Sequence, residues 1–272
     1  MITVQGERIT AVQPWLGGAV THDLTEYTVL PGLIDAHVHI SAYFNHLGRI
    51  GTGDDGETPA ERAAGRAANA LATVRAGFTT VASMGAAVDA TLRDQIDKRA
   101  IPGPRILTST AQIWGPDASP DSLRKVVHLL VPRSADFVKI IASNPVREGG
   151  TPALTGDQLA ALCTEAKRLN LRSVVHAQDD LSLRQAAAAG CDQVEHGFNG
   201  TAEGLKVLAD SGVAYDPQCG LLLRNYLAHR ASFEGTAGFG PSDFDLFQTL
   251  VPVLPSLVSA WRTHWLVCSQ GS

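Results

Sequence analysis

Two histidines one residue apart, His37 and His39, end an apolar run that begins at Leu30. Side chains alternate between the two faces of a β-strand, so both imidazoles project from the same face. At that spacing the two rings can share one metal ion, because imidazole nitrogen is a common ligand of zinc. The pattern therefore predicts a metal site at the end of the first buried strand.

Three further candidate ligands lie on later predicted strands: Lys139 within the fourth, His176 at the end of the fifth and His196 at the end of the sixth. In a parallel barrel the carboxyl ends of all strands converge on one face. A lysine ammonium has no lone pair, but burial favours the neutral amine, which can react with carbon dioxide to give an anionic carbamate able to bridge two cations. Taken singly, each histidine is more often a core residue, and Lys139 could pair with a carboxylate such as Asp136. Their order on neighbouring strands favours the metal site.

The elements that must position these residues alternate regularly from residue 32 onward. We predict strands over 32–40, 78–83, 105–110, 136–142, 172–176, 193–196 and 213–216. The helices between them are predicted over 58–76, 87–100, 119–130, 155–169, 180–189 and 202–211. Short apolar strands alternating with helices indicate an α/β fold with a parallel sheet, and a (β/α)8 TIM-type barrel fits this number of units better than an open doubly wound sheet.

The two ends of the chain follow a different pattern. Residues 1–30 contain short strands at 2–4, 8–12 and 27–30 with intervening turns, which predicts part of a small N-terminal β-sandwich unit. Residues 31–272 then form the barrel domain. Its last part is less regular: we predict helical structure over 219–233 and 243–261, broken at prolines, and a doubtful eighth strand within 263–269.

Composition excludes several classes of function. The chain has 272 residues, 44% of them hydrophobic, and 22 Lys plus Arg against 27 Asp plus Glu, for a net charge of -5. That balance gives no support to a nucleic-acid partner, and no apolar stretch reaches the roughly 20 residues of a membrane span. We expect a soluble, cytoplasmic protein with a small-molecule substrate. Its four widely spaced cysteines are expected to be reduced and mostly buried.

Six sequence motifs resemble, in order, those of the amidohydrolase superfamily, and within it the imidazolonepropionase-like branch that contains Xaa-Pro dipeptidases. They are LPGLIDAHVH at 30–39, AGFTTV at 76–81, PGPR at 102–105, DFVKI at 136–140, VHA at 175–177 and VEHG at 194–197. The resemblance implies a site for two divalent metal ions, usually zinc. His37 and His39 would bind one ion, His176 and His196 the other, and a carboxylated Lys139 would bridge them.

The resemblance also implies hydrolysis of amide or peptide C–N bonds by a metal-activated hydroxide, of the dipeptidase or N-acyl amino acid hydrolase type. Lys139, His176 and His196 are the expected catalytic residues. A deaminase of the same superfamily is the alternative, but that branch uses one metal, lacks the lysine and has a glutamate where this chain has Asp179. The candidate substrate contacts, on loops after the strands, are Tyr43, Ser143, Asn144, Arg224 and Tyr226.

One family feature has no counterpart in the sequence. Members carry an aspartate at the end of the eighth strand that holds a metal and accepts a proton from water, whereas this chain reads WLVCSQGS over 265–272. Either the chain is truncated, which we favour, or Cys268 or Ser269 occupies the position. A truncated barrel would leave strand edges unpaired, so we expect self-association into a homo-oligomer. An inactive remnant of the fold is therefore a further alternative.

Overall fold

A computed structural model describes residues 1–51, 55–218, 221–236 and 238–253. The chain divides into two compact units, 1–31 and the part from Gly32 onward. In the first unit, β1 (Ile2–Gln5) and β2 (Arg8–Val12) form an antiparallel hairpin whose turn contains Gly6 at a φ of 61°. The strand predicted over 27–30 is not formed, since no described strand offers it a hydrogen-bonding partner.

The second unit alternates strands and helices. Its strands are β3 (Leu33–Val38), β4 (Phe78–Ser83), β5 (Arg105–Thr108), β6 (Gln112–Ile113), β7 (Phe137–Ile141), β8 (Arg172–Asp179), β9 (Gln193–Asn199) and β10 (Ala214–Asp216). Its helices are α1 (Pro59–Arg75), α2 (Ala87–Asp97), α3 (Pro120–His128), α4 (Gly156–Arg168), α5 (Asp180–Ala188), α6 (Ala202–Ser211), α7 (Leu221–Ala228), α8 (Arg230–Phe233) and α9 (Pro241–Leu250).

All neighbouring strands of this unit are parallel, and their order in space follows their order in the chain. One sheet runs β3-β4-β5 and the other β6-β7-β8-β9-β10. The third predicted strand, 105–110, ends early as β5, because Thr110 takes a left-handed conformation with a φ of 56°, and the short β6 follows beyond the predicted range. β5 pairs with β4, and β6 pairs with β7. The predicted α/β class with parallel strands is confirmed.

The parallel strands curl strongly. The side chain of His37 on β3 lies 2.9 Å from that of Glu195 on β9. In a flat sheet, even with β5 and β6 counted as one position, five strand spacings of about 4.8 Å would separate these strands by about 24 Å. No described residues pair β3 with β10, and the predicted eighth strand falls within 263–269, outside the described residues. Closure of the sheet into a barrel stays a prediction.

Helix α1 shows how the local sequence fixes the segment that carries the first two histidines. Thr58 and Glu61 form a capping box, with Pro59 in the first helical turn. From the middle of the helix, the Asn69 amide donates hydrogen bonds to the carbonyls of Ile40 and Ala42, at 3.0 and 2.9 Å. These bonds fix the backbone immediately after His39.

The two larger apolar clusters among the described residues support the strands. A large one packs α3 to α6 against β7, β8 and β9 and includes residues of α7 and α9, with Leu159, Val175 and Leu205 fully buried. A smaller one joins β3, β4 and β5 around Val81 and Ile106. The strand ends that carry the candidate ligands are therefore held by buried neighbours on their outer side.

The two cysteines that the structure describes form a disulfide, Cys163–Cys191. For this pair the prediction of reduced thiols is wrong. Their separation of 28 residues gave no pairing signal, and it is the packing of α4 near the start of β9 that brings them together. Disulfides are more frequent in oxidising compartments, so the cytoplasmic location stays a prediction. Cys219 and Cys268 lie outside the described residues.

Among the helices described, none combines the length and the apolar character needed to cross a bilayer.

Candidate metal centre

The structure brings the four predicted histidines together. The ring centroid of His37 lies 5.7 Å from that of His39 and 5.2 Å from that of His196, and the rings of His176 and His196 are 4.4 Å apart. All four line one cavity of about 580 Å³ at the carboxyl ends of the parallel strands. Rings at these separations can share one or two cations without a large backbone movement.

Local backbone geometry orients His196. It has a φ of 73° and is followed by Gly197 at 70°. The Tyr215 hydroxyl donates a 2.7 Å hydrogen bond to the His196 carbonyl. A Cβ at position 197 would approach that hydroxyl oxygen to 2.7 Å, so only glycine fits there. The left-handed residue interrupts the alternation of β9, and as a result Glu195 and His196, which are adjacent, both reach the site.

Lys139 on β7 is 2% exposed, and its ammonium contacts a carboxylate of Glu195. The carboxylate considered from the sequence, Asp136, has other partners: it accepts hydrogen bonds of 2.8 Å from Arg93 and from the Thr108 backbone. Lys139 therefore faces the interior and lines the same cavity as the histidines.

Glu195 was not predicted as a site residue. It is fully buried, and its second oxygen lies 2.9 Å from Nδ1 of His37. His37, Glu195 and His196 offer ligand atoms within 4.8 Å of one another. One signal in the sequence could have identified it: Glu195 is a carboxylate in the middle of a strand that is otherwise uncharged. A carboxylate is almost never buried without a partner, so its position indicates a paired or metal-binding group.

The site keeps its imidazoles neutral. Burial, reinforced by the positive charge of Lys139 and by the neighbouring rings, holds the pKa of His37 and of His196 well below the usual value of 6.5. The same causes lower the pKa of His176 to about 3. The side chain of His39 is exposed at the cavity, and for this ring desolvation by the cavity walls and the charge of Lys139 lower the pKa in the same direction. Metal binding requires neutral imidazole, so these shifts favour it.

The pKa of Lys139 is lowered to about 7 by burial, against the opposing charge of Asp216. Burial thus works toward the neutral amine, which is the form that reacts with carbon dioxide, whereas the contact with Glu195 favours the ammonium.

Unsatisfied buried atoms show that the residues fit a cation. Nε2 of His176 and Nδ1 of His196 are buried and have no hydrogen-bond partner among the described residues. A buried polar atom without a partner costs about 1–3 kcal/mol. A cation bound between these rings would remove that cost.

Acid should destabilise the metal-free protein. The folded pKa of His176, about 3, lies below its unfolded value of 6.5, so the unfolded state binds more protons between these values. The contribution of the His176 ring to the free energy of unfolding is fully present above pH 6.5 and is lost as the pH falls toward 3. Between pH 7 and 4 we expect a loss on the order of 2–3 kcal/mol from this ring, measured by urea unfolding of chelator-treated protein.

The matched control for this measurement is His176→Asn, which removes the titrating group. Its unfolding free energy should fall less steeply with acid than that of the wild type. Parallel curves for the two proteins would show that His176 is not the group responsible.

Of the five predicted substrate contacts, Asn144 and Tyr226 line the cavity. Arg224 does not belong to the lining and is exposed on α7. Two lining residues that the sequence reasoning missed are Arg147 and Trp114, the second of them 60% exposed.

Tyr43 and Ser143 have structural contacts outside the cavity lining. The Tyr43 hydroxyl donates to Glu57 at 2.5 Å. The buried Ser143 hydroxyl accepts a 2.8 Å hydrogen bond from the Gln178 backbone. Both contacts hold loops at the mouth of the site.

The cluster of imidazoles, lysine and carboxylate lies at the carboxyl ends of parallel strands, which is where the sites of α/β enzymes are found. The sequence profile of the Amidohydrolase family matches residues 28–237. The chain belongs to the amidohydrolase family, and the resemblance seen in the sequence is confirmed.

Several solved structures share the fold. A Xaa-Pro dipeptidase with bound methionine matches with a TM-score of 0.74 and 21% identity, over 93% of this chain and 70% of that one. A prolidase complexed with N-methylphosphonate-L-proline matches with a TM-score of 0.82 and 20% identity, over 99% and 73%. The A. niger ochratoxinase matches with a TM-score of 0.71 and 18% identity, over 89% and 63%. No curated protein sequence matches the chain.

Proposed function

We propose that the protein is a metal-dependent hydrolase of amide or peptide C–N bonds, of the dipeptidase or N-acyl amino acid hydrolase type. The observation that carries the proposal is the cluster of four neutral imidazoles, two of them with unsatisfied buried nitrogens, around the buried Lys139. The fold it shares with a Xaa-Pro dipeptidase and a prolidase supports the same reaction class.

The residues divide into two ligand pairs. His37 and His39 would hold one divalent ion, and His176 and His196 would hold the second. Zinc suits both positions, because the donors are imidazole nitrogens. Lys139 would bridge them as a carbamate. Carboxylation would remove the positive charge of Lys139 that now contacts Glu195. The Glu195 carboxylate would then keep its contact with His37.

The ions would supply an acidified water and polarise the substrate carbonyl. The chain's own contribution is orientation. Glu195 lies 2.9 Å from Nδ1 of His37, and a proton held there leaves Nε2 of that ring free to act as ligand. Tyr215 fixes the His196 backbone. The apolar lining contributed by Phe198 and Leu223 limits the access of bulk water to the site.

The fold proposed to hold this centre is a (β/α)8 barrel preceded by a small β-domain. The strong curl of the sheet supports the barrel, since strand ends from β3 and β9 meet at one point. A homo-oligomer stays part of the proposal, on the physical ground that exposed strand edges favour association.

The experiment is to remove all metal with a chelator, restore zinc in measured steps, and assay a panel of dipeptides and N-acyl amino acids at each step. We expect no hydrolysis without metal and a maximum near two ions per chain by elemental analysis. Two bound ions with no hydrolysis of any panel member would identify an inactive remnant of the fold, and turnover that is unaffected by chelation would refute the proposal.

A further inference from the structure

The cavity has a second chemical region beside the histidines. The rings of four residues from α7 to α9 and the loop between them form what we call the aromatic wall: Tyr226, Phe233, Phe239 and Phe247. Tyr226 lies at its centre, with ring centroids 4.8 Å from Phe233, 4.9 Å from Phe239 and 5.5 Å from Phe247. Such a surface binds large apolar groups.

Arg147 lies against this wall and also lines the cavity. Its guanidinium carbon is 5.3 Å from the centroid of the Phe239 ring, and its side chain is 29% exposed. Stacking on an aromatic ring holds the planar group in place while leaving its N–H donors at the edge.

The carboxylate that contacts Arg147 among the described residues is Glu148, its neighbour in the chain. The contact is a single 3.4 Å approach to one nitrogen, and the Glu148 side chain is 56% exposed. An exposed pair of this kind contributes little, so it does not prevent the guanidinium from accepting a second carboxylate in bidentate geometry.

The loop that carries Arg147 is preorganised. The Asn144 backbone donates to the Thr151 carbonyl at 2.8 Å, and the Gly150 backbone donates to Pro145 at 3.0 Å. Gly150 has a φ of 63°, and a Cβ there would lie 2.7 Å from the Asn199 amide nitrogen. A loop fixed in this way loses little conformational entropy when a ligand binds.

We infer that Arg147 binds the free carboxylate of the substrate while the aromatic wall binds a large apolar side chain. The inference rests on the proposed function and narrows it to N-acyl or N-aminoacyl derivatives of apolar amino acids with an unblocked carboxyl end. Hydrolysis breaks the amide C–N bond, places the hydroxyl of water on the acyl carbon and returns its proton to the amine.

The first test measures binding without turnover. Calorimetry on chelator-treated protein compares 3-phenylpropanoate with 3-phenylpropanamide, which have the same shape and differ in charge. We expect the carboxylate to bind about 10- to 100-fold more tightly. Arg147→Met should abolish this preference, Arg147→Lys should keep part of it, and Arg172→Met, which removes the same charge at the opposite, amino end of β8, should leave it unchanged.

The second test uses the zinc-loaded enzyme with N-acetyl-L-phenylalanine. Arg147→Met should raise KM by about 10- to 100-fold, with kcat changed much less, because the lost contact binds substrate and transition state alike. A carboxylate preference that survives Arg147→Met in the binding test overturns the inference. An Arg147-dependent preference together with no hydrolysis by the wild type would leave the binding site standing and refute the proposed reaction instead.

Discussion

Replacing Lys139 with alanine is expected to lower kcat/KM by about a thousandfold or more. The side chain is 2% exposed and lines the same cavity as the two histidine pairs, so its loss removes the ligand proposed to join both ions. A thousandfold loss corresponds to about 4 kcal/mol of transition-state stabilisation, which is in the range supplied by a bound metal. Steady-state kinetics with zinc in excess measures the effect.

Chemical rescue distinguishes loss of a ligand from loss of structure. Lys139→Ala leaves a space in which acetate or propionate can supply the two oxygens of the missing carbamate, so either acid should restore part of the activity. Chloride at the same ionic strength should not. Activity within about tenfold of the wild type, or equal recovery with chloride, would show that Lys139 is no bridging ligand.

Replacing His196 with asparagine is expected to lower the zinc content from about two ions per chain to about one, and to lower kcat/KM by at least about a thousandfold. His196 is the central ring of the cluster, 4.4 Å from His176 and 5.2 Å from His37. Its nitrogen Nδ1 has no protein partner among the residues described. Elemental analysis and kinetics on the same sample measure both effects.

The matched control is His128→Asn. His128 ends α3 and lies 2.6 Å from Glu165, with its side chain 49% exposed. This variant should keep both ions and the activity of the wild type. Full metal content in His196→Asn would place the second ion elsewhere, and loss of metal in both variants would trace the effect to general instability.

Much of the fold could be predicted because local signals were strong. The helix that begins after Thr58, the strand over 78–83 and the helix over 202–211 are all present in the structure. Prediction failed where structure depends on distant partners. The segment 27–30 has the composition of a strand but no described neighbour to pair with, and β5 ends at Thr108, two residues before the predicted end, where the chain turns to the left-handed Thr110.

The candidate site was predictable to the extent that it follows strand alternation. His37 and His39 face the same cavity for that reason. Glu195 was missed because alternation places neighbouring residues on opposite faces, whereas the left-handed conformation of His196 turns both inward. Arg147 was missed because its approach to the Phe239 ring joins two loops that are far apart in the chain.

The curl of the sheet has a consequence for how the enzyme matures. The contact between His37 and Glu195 joins the first strand of the large unit to its seventh, so no early fragment of the nascent polypeptide contains a complete coordination sphere. Contacts of such high sequence separation form late and slowly. We therefore expect metal ions to bind after the chain has collapsed. Because they bind the folded state, their binding should stabilise it and slow unfolding.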